Sequence, residues 1–187
     1  AQLKDYPFIA ASAELTIAER SFIFTDVNSK YWYYDTIKQV YQLGLMTGTS
    51  ETAFEPDNPM SRGMVATVLY RIAGAPNVTY QSVFRDVPGT AYYAQAVTWA
   101  YQNKIISGYG NGKFGPDDNV TREEMAVMLC NYARFRGMQV NSNQGLETFV
   151  DYKNTTAYAV PSMKWVVEKG ILSGTDDGRL NPTYDAS

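Results

Sequence analysis

Two short pairs, Ser61-Arg62 and Thr121-Arg122, carry the clearest chemistry in this sequence. Arginine presents a planar fork of N–H donors that matches a carboxylate. A serine or threonine just before it reads as a helix N-cap, and the first helical turn leaves N–H groups that favour an anion. Ser/Thr-Arg at a helix start is therefore a small anion site. The plainer alternative is a capped helix carrying a surface arginine.

Other chemistries are restricted by composition. The 187 residues contain no histidine, which removes Ser-His and Cys-His pairs, a histidine general base and most zinc sites. The single cysteine, Cys130, sits in an apolar run and reads as a small buried hydrophobe. It has no partner for an intrachain disulfide or a Cys-Cys metal motif. Asp-Asp-Gly at 176–178 lacks the alternating oxygen ligands and closing glutamate of an EF-hand, so no metal or cofactor is expected. A glycosidase needs a carboxylate pair across the scissile bond, but the acids here recur singly along the chain, and no enzyme activity is expected. A net charge of −3 argues against nucleic acid or an anionic membrane as partner. No apolar run reaches the roughly 18 residues of a membrane span. The chain begins AQLKDYPF without a charged region before an apolar one, which fits an intracellular protein or a mature or excised segment.

The elements that position the arginines emerge from internal repetition. Phe24, Phe84 and Phe149 each open a unit, with Asp26, Asp86 and Asp151 two residues on. Trp32, Tyr92 and Tyr158 follow. Gly48, Gly108 and Gly174 come next, preceded by Thr47, Ser107 and Ser173. Phe54, Phe114 and Leu180 stand two before Pro56, Pro116 and Pro182, and Ser61, Thr121 and Ser187 five after. The offset is 60 between the first two units and 65, then 66, between the second and third.

Each unit reads as helix, loop, helix. In the second, Tyr93, Val97, Ala100 and Tyr101 recur at helical spacing, and the helix should end near Asn103. A Gly/Asn/Asp/Pro-rich loop follows. Thr121 with Glu124 then predicts a capping box, with Met125, Met128, Leu129 and Tyr132 as the buried face. In the first unit Met64 replaces the glutamate, predicting a weaker helix start. Lys104 stands where Gly44 and Gly170 predict a left-handed helix end. The organisation is an N-terminal segment or linker at 1–23, then units at 24–76, 84–137 and 149–187, the last without its second helix. The intervening polar stretches read as linkers.

The pattern Phe-x-Asp, aromatic, helix, small-Gly, Phe-x-Pro-Asp, Ser/Thr-Arg resembles the S-layer homology family, over about residues 24–187. Thr121-Arg122-Glu123-Glu124 is its most diagnostic stretch. The resemblance implies a mainly α, pseudo-threefold helical repeat domain of spindle type, with grooves between repeats. It implies an extracellular location in a bacterial cell wall or S-layer, and non-covalent binding of a peptidoglycan-linked, pyruvylated secondary cell-wall polysaccharide. Arg62 and Arg122 would contact the ketal carboxylate. No third arginine is present, which puts a third groove in doubt. Trp32, Tyr92 and Tyr158 would stack on sugars or else fill the core. Asp26, Asp86 and Asp151 would accept from sugar hydroxyls or else bond their own backbone. Thr47, Ser107 and Ser173 would offer hydroxyls, while Gly48, Gly108 and Gly174 serve backbone geometry. The alternative function is structural assembly, with other copies of the chain covering the third unit's apolar face.

Overall fold

A computed structural model describes residues 20–186. The short helix suggested by AELTIAER and the expected cap at Ser187 fall outside them. The described residues form helices α1 (Tyr34–Gln42), α2 (Arg62–Ile72), α3 (Ala94–Gln102), α4 (Arg122–Phe135) and α5 (Val160–Glu168), with a 3-10 turn at Tyr152–Asn154 before α5. No strand occurs among them.

The Phe-x-Asp motif closes each repeat on itself. Asp26 accepts backbone N–H bonds from Phe54 and Glu55, Asp86 from Phe114 and Gly115, and Asp151 from Leu180 and Asn181. These aspartates hold the Phe-x-Pro turn from the other end of the repeat, not their own adjacent backbone. The turn needs this clamp because its middle residue is left-handed each time: Glu55 (φ 57°), Gly115 (φ 68°) and Asn181 (φ 48°). The phenylalanine of the motif lies on the repeat's glycine. A Cβ on Gly48 would come within 2.5 Å of the Phe24 ring, one on Gly108 within 2.5 Å of Phe84 and one on Gly174 within 2.6 Å of Phe149. Close approach is thus the constraint shared by all three. Only Gly48 also takes a positive φ.

Helix ends follow local chemistry. Ser61 and Thr121 accept from the backbone N–H three residues on. The Glu124 carboxylate returns the bond to the Thr121 N–H at 3.1 Å. At the first repeat the Met64 sulfur takes that place at 3.5 Å, so the box survives with a poorer acceptor. Lys104 adopts φ 58°, matching Gly44 (φ 69°) and Gly170 (φ 65°).

Helices pair mainly between repeats: α2 with α3, α4 with α5, and α2 with α4. The largest core joins Val65, Leu69 and Ile72 to Tyr93, Val97, Trp99 and Tyr132. A second joins Ala126, Cys130 and Ala133 of α4 to Met163, Trp165 and Val166 of α5. The expectation of a single buried face on α4 is corrected: Met128 and Tyr132 face one core, while the small residues Ala126, Cys130 and Ala133 face the other. Small side chains let α5 approach closely. The stretches between repeats are tethered as well, by a 2.6 Å bond from the Tyr80 hydroxyl to the Val87 carbonyl and by buried Val140 and Leu146.

The pseudo-threefold relation is visible in three backbone bonds. The N–H of Val120 donates to the Met60 carbonyl at 2.9 Å, that of Ala186 to Val120 at 2.8 Å, and that of Met60 to Ala186 at 2.9 Å. This closed ring joins the residues immediately before Ser61, Thr121 and Ser187.

Candidate functional site: the grooves between repeats

Each Ser/Thr-Arg pair inserts into the next repeat. The N–H groups of Arg62 and Gly63 donate to the Asp118 and Pro116 carbonyls, and those of Arg122 and Glu123 to Tyr184 and Pro182. With the caps included, the first N–H groups of α2 and α4 are occupied by protein. The expected anion site of free helix N-terminal N–H groups is therefore corrected: those donors bind the neighbouring repeat, and Ser61 and Thr121 act as caps.

The guanidinium groups continue this attachment. Arg62 donates from Nε to the Phe114 carbonyl (3.0 Å), and from its terminal nitrogens to the Ser107 carbonyl (3.1 Å) and Glu124 (2.8 Å). It stacks between Tyr109 and Phe114, 4.7 and 4.9 Å from the ring centroids. At 6% exposure it is not the surface arginine that the sequence suggests. Arg122 repeats two of these bonds, to Leu180 (2.8 Å) and Ser173 (2.7 Å). No carboxylate of the described residues reaches it as an ion pair. Burial lowers its pKa, with Asp151 opposing.

Two grooves result. The first, about 430 Å³, is lined by residues 45–49, Phe54, Met64, Thr67, Val68, Arg71 and Tyr92. The second, about 320 Å³, uses the corresponding residues one repeat on: residues 105–109, Glu124, Val127, Met128, Asn131 and Tyr158, together with Arg62 from the first repeat. A floor comes from the small-Gly loop, one wall from the second helix, and the other wall from the next repeat's aromatic. Tyr92 and Tyr158 are 65% and 58% exposed, so both are groove walls and not core. Trp32 is 88% exposed and lines neither groove. Thr47 and Ser107 border the grooves exposed, and Ser173 is exposed beside Arg122.

Burial raises the pKa of Tyr92, and the Ser61 hydroxyl partly opposes this. Burial also raises Tyr158, with Glu123 and Glu124 adding to it. Tyr109 is pushed up to about 12 by burial, against Arg62 and with help from its hydrogen bond to Asp118. All three phenols are protonated donors at neutral pH. A shallow, aromatic-walled cleft with hydroxyl and arginine donors suits a polar ring ligand that carries negative charge.

Arg71, Glu124 and Tyr109 were not singled out from the sequence as groove residues. Arg71 aligns with Asn131 at the 60-residue offset, but neither belongs to the recurring motif that marks the grooves. The pairing of Arg62 with Glu124, 62 residues apart, leaves no signal in the sequence either.

The architecture defines a pseudo-threefold repeat module with inter-repeat clefts. The profile of the S-layer homology domain matches residues 23–63, 83–126 and 148–186, and the chain belongs to that family. It is 27% identical to an endoglucanase of Bacillus sp. (strain KSM-635) over 89% of this chain and 18% of the relative. It is 28% identical to an S-layer protein of Bacillus thuringiensis subsp. finitimus, over 85% of this chain and 19% of that one. The surface-layer 125 kDa protein of Lysinibacillus sphaericus is 23% identical over 96% and 16%. The chain thus spans less than a fifth of these relatives' length. The S-layer homology domain is a non-catalytic, wall-anchoring module of the extracellular surface, and the endoglucanase is matched over 18% of its length.

Proposed function

We propose that the chain anchors a larger surface protein by holding an acidic, pyruvylated secondary cell-wall polysaccharide in the grooves between repeats. The observation that carries this is the recurrence of one cleft design at two junctions, each with an exposed tyrosine opposite a hydroxyl-bearing loop. The tyrosine face stacks on a sugar ring, the phenol and Thr47 or Ser107 meet its hydroxyls, and a guanidinium meets the carboxylate. In the second groove, where Glu124 already pairs with Arg62, the N–H groups of Arg62 that protein does not occupy meet sugar oxygens. Weak single sites add through avidity when several grooves engage one polymer.

Sedimentation with purified wall sacculi tests the proposal. The wild-type chain should pellet with intact sacculi and remain in solution with sacculi stripped of secondary polymer. Tyr92→Ala with Tyr158→Ala should stay soluble beside intact sacculi while its helical circular dichroism is retained. Equal pelleting with stripped sacculi would rule out the polymer as ligand.

A further inference from the structure

The two grooves share a backbone plan but differ in charge. In the second, Glu124 lies 2.8 Å from Arg62, so the wall cation is already neutralised. In the first, the corresponding position is Met64, and none of the described lining residues is a carboxylate. At the position of Asn131 the first groove carries Arg71. Both side chains hold a loop carbonyl. The Asn131 amide donates to Ile105 at 3.2 Å, and Arg71 donates to Leu45 at 3.0 Å. The amide uses one N–H on that bond, and its oxygen accepts from Arg134 at 2.7 Å. Arginine has five N–H donors, and a single nitrogen makes the one hydrogen bond found among the described residues. No carboxylate pairs with it there. Arg20 lies close enough to add to the positive potential. The side chain is half-buried along the groove, where screening by water is reduced.

We propose that Arg71 makes the first groove the anion-selective site of this module, taking a sugar carboxylate that Glu124 disfavours in the second. Selectivity comes from two exchanges between equivalent positions: arginine for asparagine, and methionine for glutamate. The second groove then prefers an uncharged sugar, stacked on Tyr158. The inference rests on the reading of the grooves as carbohydrate sites.

A matched pair of probes separates the two ideas. Methyl 4,6-O-(1-carboxyethylidene)-glucopyranoside carries a ketal carboxylate, and its 4,6-O-isopropylidene counterpart is neutral. Each is titrated into isotope-labelled protein by NMR, with the amides of Thr47, Gly48 and Tyr92 reporting the first groove and those of Ser107, Gly108 and Tyr158 the second. The charged probe should perturb the first groove more strongly than the neutral one. Arg71→Asn should weaken its binding there by roughly 10–100-fold, the scale of a hydrogen bond to a charged group. That substitution keeps a donor for Leu45, and an otherwise unchanged amide spectrum confirms the fold. Glu124→Gln retains a donor and an acceptor beside Arg62 but removes the charge, and should raise charged-probe binding in the second groove. If the charged probe shifts the second groove and not the first, or if Arg71→Asn changes nothing, the assignment is overturned while carbohydrate binding stands. If neither probe shifts either groove although sacculi are bound, the assignment falls and wall binding stands. If sacculi are not bound either, the underlying reading falls with it.

Discussion

The junction between repeats one and two and the junction between repeats two and three use the same arginine differently. Arg62 and Arg122 both hold two carbonyls of the following repeat, and the N–H groups at their helix starts bind equivalent loop carbonyls. Arg62 is further enclosed by Glu124, Tyr109 and Phe114, whereas among the described residues Arg122 has no acid within ion-pair distance and no ring stacked on it. The constant part of the motif is therefore assembly of neighbouring repeats. Ligand contact is an addition whose strength varies with what else surrounds the guanidinium.

The largest consequence falls on these arginines. Arg62→Ala should cost about 3–5 kcal/mol, because it leaves Glu124 unpaired in a semi-buried site. Arg122→Ala should cost less, about 1.5–3 kcal/mol, the range for hydrogen bonds to a charged group. Urea unfolding of the two variants measures the difference. Equal losses would show that the ion pair and ring contacts at Arg62 add nothing.

Next come the glycines beneath the motif phenylalanines. Gly108→Ala drives a methyl into Phe84 and the Lys113 carbonyl and should destabilise by about 1–3 kcal/mol. Gly48→Ala adds the strain of a positive φ to a similar clash and should be at least as damaging. Thermal unfolding ranks them.

The aspartate clamps predict an acid limit. Burial raises the Asp26 and Asp86 carboxyls, but their backbone N–H donors together outweigh it, leaving both pKa values below normal. A folded-state pKa below the unfolded one contributes stability at higher pH, and that contribution is lost as pH falls through the folded value. Stability should thus decline below about pH 4. Asp86→Asn should be less stable at pH 7 and show a shallower decline on acidification.

The smallest effect is a gain. Lys104→Gly removes a left-handed lysine at the end of α3 and should stabilise by about 1 kcal/mol. The repeats already carrying glycine there, at 44 and 170, offer no such gain, so Gly44→Lys should lose a similar amount.

Much of this was legible in the sequence because the backbone imposes it once per repeat. The Phe-x-Asp pair, the small-Gly pair and the Ser/Thr cap all recur at fixed offsets, whereas the left-handed residue before each proline and the ring packed on each glycine emerge only in three dimensions. Lys104 stood out as the one departure in its column, and its φ matches its glycine counterparts. What did not recur was hidden. Helices pair mainly across repeats, so the two faces of α4 are not separable by periodicity alone. Arg62 reads as an exposed cation until Glu124 and Ser107 of the next repeat are placed around it. Arg71 differs from Asn131 at a position where their shared role, holding a loop carbonyl, gives no hint of the extra charge.

The most direct test separates groove contact from groove construction. Calorimetric titration of purified wall polysaccharide into Tyr158→Ala and Arg62→Ala should be paired with their urea midpoints. Tyr158→Ala should lose affinity with its midpoint unchanged, while Arg62→Ala should lower the midpoint substantially. Wild-type affinity in Tyr158→Ala, or an unchanged midpoint in Arg62→Ala, would contradict the division of labour between aromatic wall and arginine tether.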